Sequence, residues 1–596
     1  MLTLLVLLFC FGILNAHAAH EVPAPQNIFS RPSQSLNGTW DYIVDVQENG
    51  YYGYHMEVLS WGFQNNAKMQ RPSDLIEYDF EKSPKMQVPG DWNTQDPQLL
   101  FYEGNLWMHR DFDYTPQEGR RALLYFGAVN YQCIVFVNGK RVGEHEGGFT
   151  PFCFDVTDVL HEGQNFVILK IDNKRSDEYV PTRVFDWWNY GGITRDVLLV
   201  SVPDTYIEDY RITYDPKTPK EVNVVVRLNK PEMGKVVNLE LPELKASTSV
   251  KTNEKGEAWL RLKLRHKPQL WSPDSPKLYE TLLYTTDEHI RDEVGLRTIE
   301  TRGKQILLNG KPVFLRGVSM HEETLVTNHR ANGRDDAHAL FSVAKELGCN
   351  YVRLAHYPHN EHAIREAERM GLMVWSEIPV YWSIDWDNPK TYANASRQLH
   401  DMIERDKNRA CIIIWSIANE TPRGESRDRF LSSLAKEARA LDSSRLISMA
   451  MEVLSAKNYV NRLQDNMHEY VDVISFNQYV GWYRDVHDAP KMTWEIPYEK
   501  PVIVSEFGGG AVAGRHGDKG ERWTEEFLEN LYIENIAMLE KIDGLSGTSP
   551  WVLKDFRSPR RPLAGTQDYF NRKGLVSDQG VKKKAFYVVQ KWYEGK

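Results

Sequence analysis

Two glutamates close long apolar runs, and both are of the residue type that does proton transfer or nucleophilic attack. Glu420 stands at the carboxyl end of the stretch 411–421, CIIIWSIANET, followed by Thr421. Ile412, Ile413, Ile414, Trp415 and Ile417 make it near-continuously apolar, as in a parallel strand covered on both faces. Asn419 and Glu420 then stand at its carboxyl end. Glu506 ends a second such run, PVIVSEFGGG. Two carboxylates across one pocket suit hydrolysis of a glycosidic bond. One protonates the leaving oxygen and the other attacks the anomeric carbon or activates water. The acid needs a raised pKa while the nucleophile stays ionised, and a cation such as Arg353 can hold a nucleophile ionised. Plainer readings exist for each group. A lone glutamate at a strand end serves equally as a salt-bridge partner, and Arg353 as that partner's cation. His321 and His356 read as satisfied polar core groups, Glu322 and Glu377 as ion-pair partners, Trp375 and Trp415 as barrel filling.

The elements that must position these groups follow residue 298. Strand-like runs at 313–320, 351–355, 373–378, 412–418, 447–451, 471–476, 502–507 and 548–553 alternate with amphipathic stretches such as 336–347 and 361–370. Eight such alternations over 299–596 predict a (β/α)8 TIM barrel. Catalytic groups of such a barrel collect at the carboxyl ends of its strands. Those ends here carry His321-Glu322, Arg353, His356-Tyr357, Glu377, Asn419-Glu420, Asn477-Gln478-Tyr479, Glu506 and Trp551. The fourth and seventh strands face each other across the barrel, so Glu420 and Glu506 can approach. Upstream, 19–203 carries short β runs and an Asn138-Gly139 hairpin turn, fitting a jelly-roll sandwich. Residues 204–298 fit an immunoglobulin-like sandwich of about seven strands.

Composition narrows the class. A net charge of -10 with no basic stripe argues against a nucleic-acid partner. Seventeen Trp and 29 Tyr suit sugar-ring stacking, and equally a large β core. Residues 2–15 are almost wholly apolar and Ala16-His17-Ala18 follows, which reads as a signal peptide over 1–18. The expectation is an exported protein, periplasmic or secreted, with no membrane contact after cleavage. Cys133 and Cys153 can pair in an oxidising compartment, whereas Cys349 and Cys411 read as buried thiols. Neither CxxC nor HExxH occurs, so neither a metal site nor a cofactor is expected.

The stretch 406–420, DKNRACIIIWSIANE, resembles the acid/base signature of glycoside hydrolase family 2, and 350–358, NYVRLAHYP, resembles that family's other signature. Leu354 and Glu368 depart from its usual residue types. The resemblance covers essentially the whole mature chain, with the same three-domain order. It implies that Glu420 is the acid/base, that Asn419 contacts the sugar 2-hydroxyl, and that Glu506 in VSEFGG is the nucleophile of a retaining, exo-acting enzyme. Such an enzyme holds its carboxyl groups ~5–5.5 Å apart. Three stretches are similar to the β-glucuronidase branch. FNQYVGWY at 476–483 brings Tyr479 and Tyr483. GGFTPFCFDVTDVL at 147–160 implies that Asp155 reaches the sugar. Asn571 and Lys573 match a motif that binds a uronate carboxylate, where an ammonium and an amide give charge-assisted bonds. His321, Arg353 and Trp551 complete the expected sugar contacts. Gln567 stands where familiar β-glucuronidases carry an arginine, with Arg560 or Arg561 as candidate stand-ins. The segment 381–396 is short, which implies an open site suited to the ends of acidic oligosaccharides or to bulky conjugates. SPWVLKDFRSPRR at 549–561 also occurs in members described as β-galactosidases. A β-galactosidase, a β-galacturonidase and a catalytically silent carbohydrate-binding protein remain alternatives, and the family leaves a homo-oligomer open.

Overall fold

Alternation of apolar and polar residues builds the first two domains. The computed structural model describes residues 21–596, so the signal-peptide expectation lies outside the described residues. In the N-terminal domain a six-stranded and a five-stranded antiparallel sheet enclose Trp40, Met108, Leu124, Val135 and Leu169. Asn138 and Gly139, with φ of 51° and 77°, turn strand Gln132–Val137 into Lys140–Glu146. Cys133 and Cys153 are both buried free thiols. Seven strands follow, in sheets of three and four. Their period-two pattern sends Val222, Val224, Val226 and Leu228 into one core. Burying each such side chain contributes about 1.5–3 kcal/mol.

The last domain is a parallel ring. Its strands are β1 (Leu315–Arg316), β2 (Ser319–Met320), β3 (Tyr351–Leu354), β4 (Met373–Glu377), β5 (Ile412–Asn419), β6 (Leu446–Glu452), β7 (Ile474–Asn477), β8 (Val502–Glu506) and β9 (Leu545–Thr548). They form a curled nine-stranded sheet in the order β1-β9-β8-β7-β6-β5-β4-β3-β2. β1 and β2 are the two halves of one predicted strand. The first pairs with β9 and the second with β3, so the two ends of the ladder meet in residues 315–320. All eight residues of β5 are buried, the pattern of a strand covered on both faces. Two expectations need correcting. The eighth strand is 545–548, not 548–553. The sequence 544–547, GLSG, reads as a turn, yet Gly547 is where strands press together: a Cβ there would lie 2.7 Å from Leu315 Cβ. The apolar run Trp551-Val552-Leu553 instead leaves the strand for the barrel mouth. In addition, the crossovers after β6 and β7 carry short strands and the 3₁₀ turns Asn466–Glu469 and Val486–Lys491 in place of α-helices. Pro490, which has no N–H to donate, lies inside the second.

The sandwich and the barrel are joined by buried charge. Arg409 donates to Asp292 at 2.5 Å and to Glu368 at 3.2 Å. Arg365 donates to Asp292 at 2.9 Å, and Tyr210 at 2.6 Å. Asn408 caps the same contact, donating to Tyr210 O and accepting from Ile212 N, each at 2.8 Å. Glu368, the departure from the family pattern, therefore has a structural partner. Burial alone would raise the Asp292 carboxyl, but Arg409 and Arg365 bring it down to about 2. A depressed carboxylate contributes stability above its unfolded pKa, and the contribution is lost as pH falls through the folded value. Asp292→Asn leaves two buried guanidiniums short of an anion and is expected to cost about 3–5 kcal/mol. Calorimetry should show its unfolding temperature well below that of the parent at pH 7. The gap should narrow between pH ~4 and ~2; a gap independent of pH would refute this role.

Candidate active site

Arg353 leaves β3 with its side chain wholly buried among three strand ends. Its Nη1 donates to Glu506 Oε1 at 2.8 Å and to Ser505 O at 3.1 Å. Its Nη2 donates to Asn419 Oδ1 at 2.7 Å and to Glu377 Oε1 at 3.0 Å. Glu377 also receives the Trp375 indole N–H at 2.8 Å and lies 2.7 Å from His356 Nδ1. Burial would raise Glu377; Arg353 and His356 outweigh it and hold the carboxyl down at about 2. Glu377 is thus the fixed counter-charge.

Glu506 ends β8 and is buried. Tyr479 OH donates to its Oε2 at 2.5 Å. Burial pushes the Glu506 carboxyl up, Arg353 opposes this, and the charge of Glu420 adds to the rise. Glu420 sits one residue past β5 at φ 49°. For a residue with a Cβ, that left-handed backbone costs roughly 1–2 kcal/mol. It is held there by a bond from Glu420 N to Ala450 O at 2.9 Å. The Trp382 indole N–H donates to its Oε2 at 2.9 Å. Trp382 is itself left-handed, at φ 58°, with its N–H on Asn419 O at 3.0 Å. Tyr381 lies in the field of both carboxylates.

Around this pair lie polar groups with unused capacity. Asn419 is buried, accepts from Arg353 and from Asn477 Nδ2 at 3.1 Å, and leaves its own Nδ2 without a partner among the described residues. His321 faces Tyr357 OH at 3.1 Å through Nδ1, and its buried Nε2 is likewise unpartnered. Burial, followed by the neighbouring His356, His359, Arg330 and Arg353, pushes its imidazolium pKa well below the ordinary value. His321 is therefore a neutral ring. Trp551 stacks on His356 with centroids 4.8 Å apart. Lys573 Nζ donates to Tyr483 OH at 3.1 Å and stands 4.7 Å from the Tyr479 ring centroid and 5.1 Å from that of Tyr483. It is buried, and no carboxylate pairs with it among the described residues. Gly574 allows this seating: a Cβ there would lie 2.2 Å from Asp555 N.

Ten of the eleven residues expected from the sequence converge on this mouth; Asp155 does not. It ends strand Phe152–Asp155 of the five-stranded sheet, where Arg121 donates to it at 2.5 Å and Thr157 OH at 2.7 Å. From that stretch it is Phe149 that stacks on a residue of the barrel mouth, Tyr357, at 4.3 Å. The N-terminal domain's acid at the site is Asp186. It takes Asn571 Nδ2 at 3.1 Å, Ser558 OH at 2.5 Å and a forked Arg561. Its acceptor sites are filled, so it clamps Asn571 and the 558–561 loop. Beside it, Trp187 packs within 5.1–5.8 Å of Tyr381, Tyr357, His356 and His321. The dense run FDWWNY at 185–190, outside any strand alternation, was the available signal. Glu322, at the first strand end, binds Arg330 at 2.7 Å and Arg195 at 3.1 Å and is an ion-pair partner.

Relatives share this whole architecture. The human β-glucuronidase is 27% identical over 631 residues, spanning 96% of this chain and 92% of its own. A solved β-glucuronidase from an uncultured Clostridium superposes with a TM-score of 0.80 at 27% identity, over 97% of this chain and 100% of its own. A β-galacturonidase from Eisenbergiella tayi bound to galacturonate shares the fold, with a TM-score of 0.77 at 24% identity over 95% and 98% of the two chains. The family 2 glycosyl hydrolase models match in succession: the sugar binding domain over 33–203, the central domain over 205–297 and the TIM barrel domain over 299–595. The chain belongs to glycoside hydrolase family 2, on its β-glucuronidase branch, and is a glycoside hydrolase.

Proposed function

We propose that the chain is an exo-acting, retaining β-glucuronidase. The observation that carries the sugar is Lys573, a buried ammonium without an anionic partner among the described residues. Left empty, such a charge is costly. The carboxylate of a terminal uronic acid supplies the missing anion, with Tyr483 OH and Asn571 beside it. Similarity to β-glucuronidases over nearly the full chain supports the same reading.

Glu506 is the nucleophile in this reading and Glu420 the acid/base. Glu506 bonds to the anomeric carbon as the bond to the glycosidic oxygen breaks, and that oxygen takes the proton of Glu420. Glu420 then removes a proton from water, whose oxygen attacks the same carbon and frees the Glu506 carboxylate. Arg353 and Tyr479 keep the Glu506 oxygens in place, so little reorganisation is needed at attack. The free Nδ2 of Asn419 and the neutral His321 are the donors available to ring hydroxyls.

Two measurements test this. Proton NMR of a fresh digest should show the β-anomer of the released sugar first; early α-anomer excludes a glycosyl-enzyme. Glu506→Gln should lower kcat by about 10⁴-fold or more, the scale seen when one member of a catalytic set is removed. Aryl β-glucuronide, β-galacturonide and β-galactoside should be compared side by side, since a galacturonide offers Lys573 the same carboxylate. Lys573→Ala should cut kcat/KM for a uronide roughly 10–100-fold, the loss of one charge-assisted bond, and leave a neutral galactoside unchanged. Equal loss on both sugars would remove Lys573 from sugar selection.

A further inference from the structure

A second cation, without an anion among the described residues, stands at the same mouth, over the ring that binds the other carboxylate. The Arg560 guanidinium lies 4.9 Å from the centroid of Trp382, the ring whose N–H binds Glu420 at 2.9 Å. Arg560 is exposed, and among the described residues its side chain has neither a carboxylate nor a carbonyl partner. Its neighbour Arg561 turns the opposite way, into Asp186. In a chain with 82 acidic and 72 basic residues, an arginine at a crowded loop junction ordinarily finds an acid. Stacking on an indole holds a guanidinium in place without using its N–H donors. It therefore presents a free fork beside the group that protonates the leaving oxygen.

Place determines what that fork meets. An acid that gives its proton to the glycosidic oxygen must lie beside the leaving group, so groups resting on Glu420 face the aglycone, not the terminal sugar. Lys573 is caged by a different set of rings, Tyr479, Trp482 and Tyr483. Trp382 is half-buried, and its left-handed backbone is tied at both ends: its N–H binds Asn419 O, and the next carbonyl, Ser383 O, accepts from Thr182 OH at 3.1 Å. The platform is thus fixed before substrate arrives. The net charge of -10 repels anions at long range, so any preference for one here is local.

We propose that Trp382 and Arg560 form a leaving-group subsite that takes a carboxylate or sulfate on the aglycone, with Trp382 as the stacking face and Arg560 as the anion's partner. This rests on Glu420 being the acid/base. Substrates would then carry an anionic group next to the scissile bond, on an acidic saccharide or an acidic aryl group.

The test compares wild type and Arg560→Gln on matched pairs. One pair is 4-sulfophenyl against 4-nitrophenyl glycosides; the other is a disaccharide with and without sulfate on its reducing sugar. Each is made as the β-glucuronide and the β-galactoside, so that the aglycone is read on whichever sugar is cleaved. The ratio of kcat/KM, anionic over neutral, should fall fivefold or more in the variant, with neutral substrates within twofold. Raising salt to screen the pair should lower the ratio in wild type and not in the variant, and Arg560→Lys should retain part of it. A drop in one pair alone identifies the source of the anion. A ratio unchanged in both pairs, or equal losses on anionic and neutral substrates, overturns the subsite. Failure of the glucuronide reading shows separately, as absent uronide cleavage by wild type.

Discussion

The guanidinium of Arg353 is the constraint on which the site depends. A charge buried this deeply is tolerated only if its donors are matched by acceptors of good geometry. The acceptors come from the ends of β4, β5 and β8, so one planar fork sets the relative positions of Glu377, Asn419 and Glu506. An ammonium, with no fixed fork, would not impose that geometry. The division of donors matters too. Glu377 takes Nε and Nη2 and is the lasting counter-ion, while Glu506 receives a single N–H from Nη1. Glu506 is thereby steadied without its oxygens being fully occupied.

The same site keeps polar groups unsatisfied on purpose. In a protein core nearly every buried donor has a partner. Among the described residues, Asn419 Nδ2 and His321 Nε2 here have none and the Lys573 ammonium has no anion, and all three lie around the carboxylate pair. Low local dielectric makes each vacancy expensive while empty and strong once filled. In the proposed reading, specificity for a hydroxylated, carboxylate-bearing ring follows from which vacancies a ligand fills. With His321 neutral and Arg353 already neutralised, Lys573 is the buried cation at the mouth that lacks an anion among the described residues.

Much of this was legible in the chain because strand interiors and strand ends differ so sharply in polarity. The run 412–418 reads as a doubly covered strand, and its polar step, with Glu506 and the surrounding signature, pointed to Glu420. Glu506, Arg353 and Tyr479 followed from the same rule. The rule failed where chemistry comes from elsewhere. Asp186 and Trp187 belong to a different domain, more than 220 residues before β5 in the chain, and nothing local says which loop of a sandwich will be inserted into a barrel. Asp155 had the right residue type in a resembling stretch, but Arg121 claims it within its own sheet. Trp382 lies five residues past Glu377, beyond the immediate strand end. The eighth strand was displaced because glycine at a tight strand crossing looks like a turn when read alone.

The stretch 406–420 has a divided character. Its second half delivers Glu420, whereas Lys407, Asn408 and Arg409 bind Asp209, Tyr210, Ile212 and Asp292 of the neighbouring sandwich. One strand is therefore moored at its amino end to another domain and armed at its carboxyl end. The barrel is for this reason not a portable module. Excised, it would leave Arg409 and Arg365 without Asp292 and Lys407 without Asp209 at the root of that strand, and the placement of Glu420 would lose the domain that anchors it.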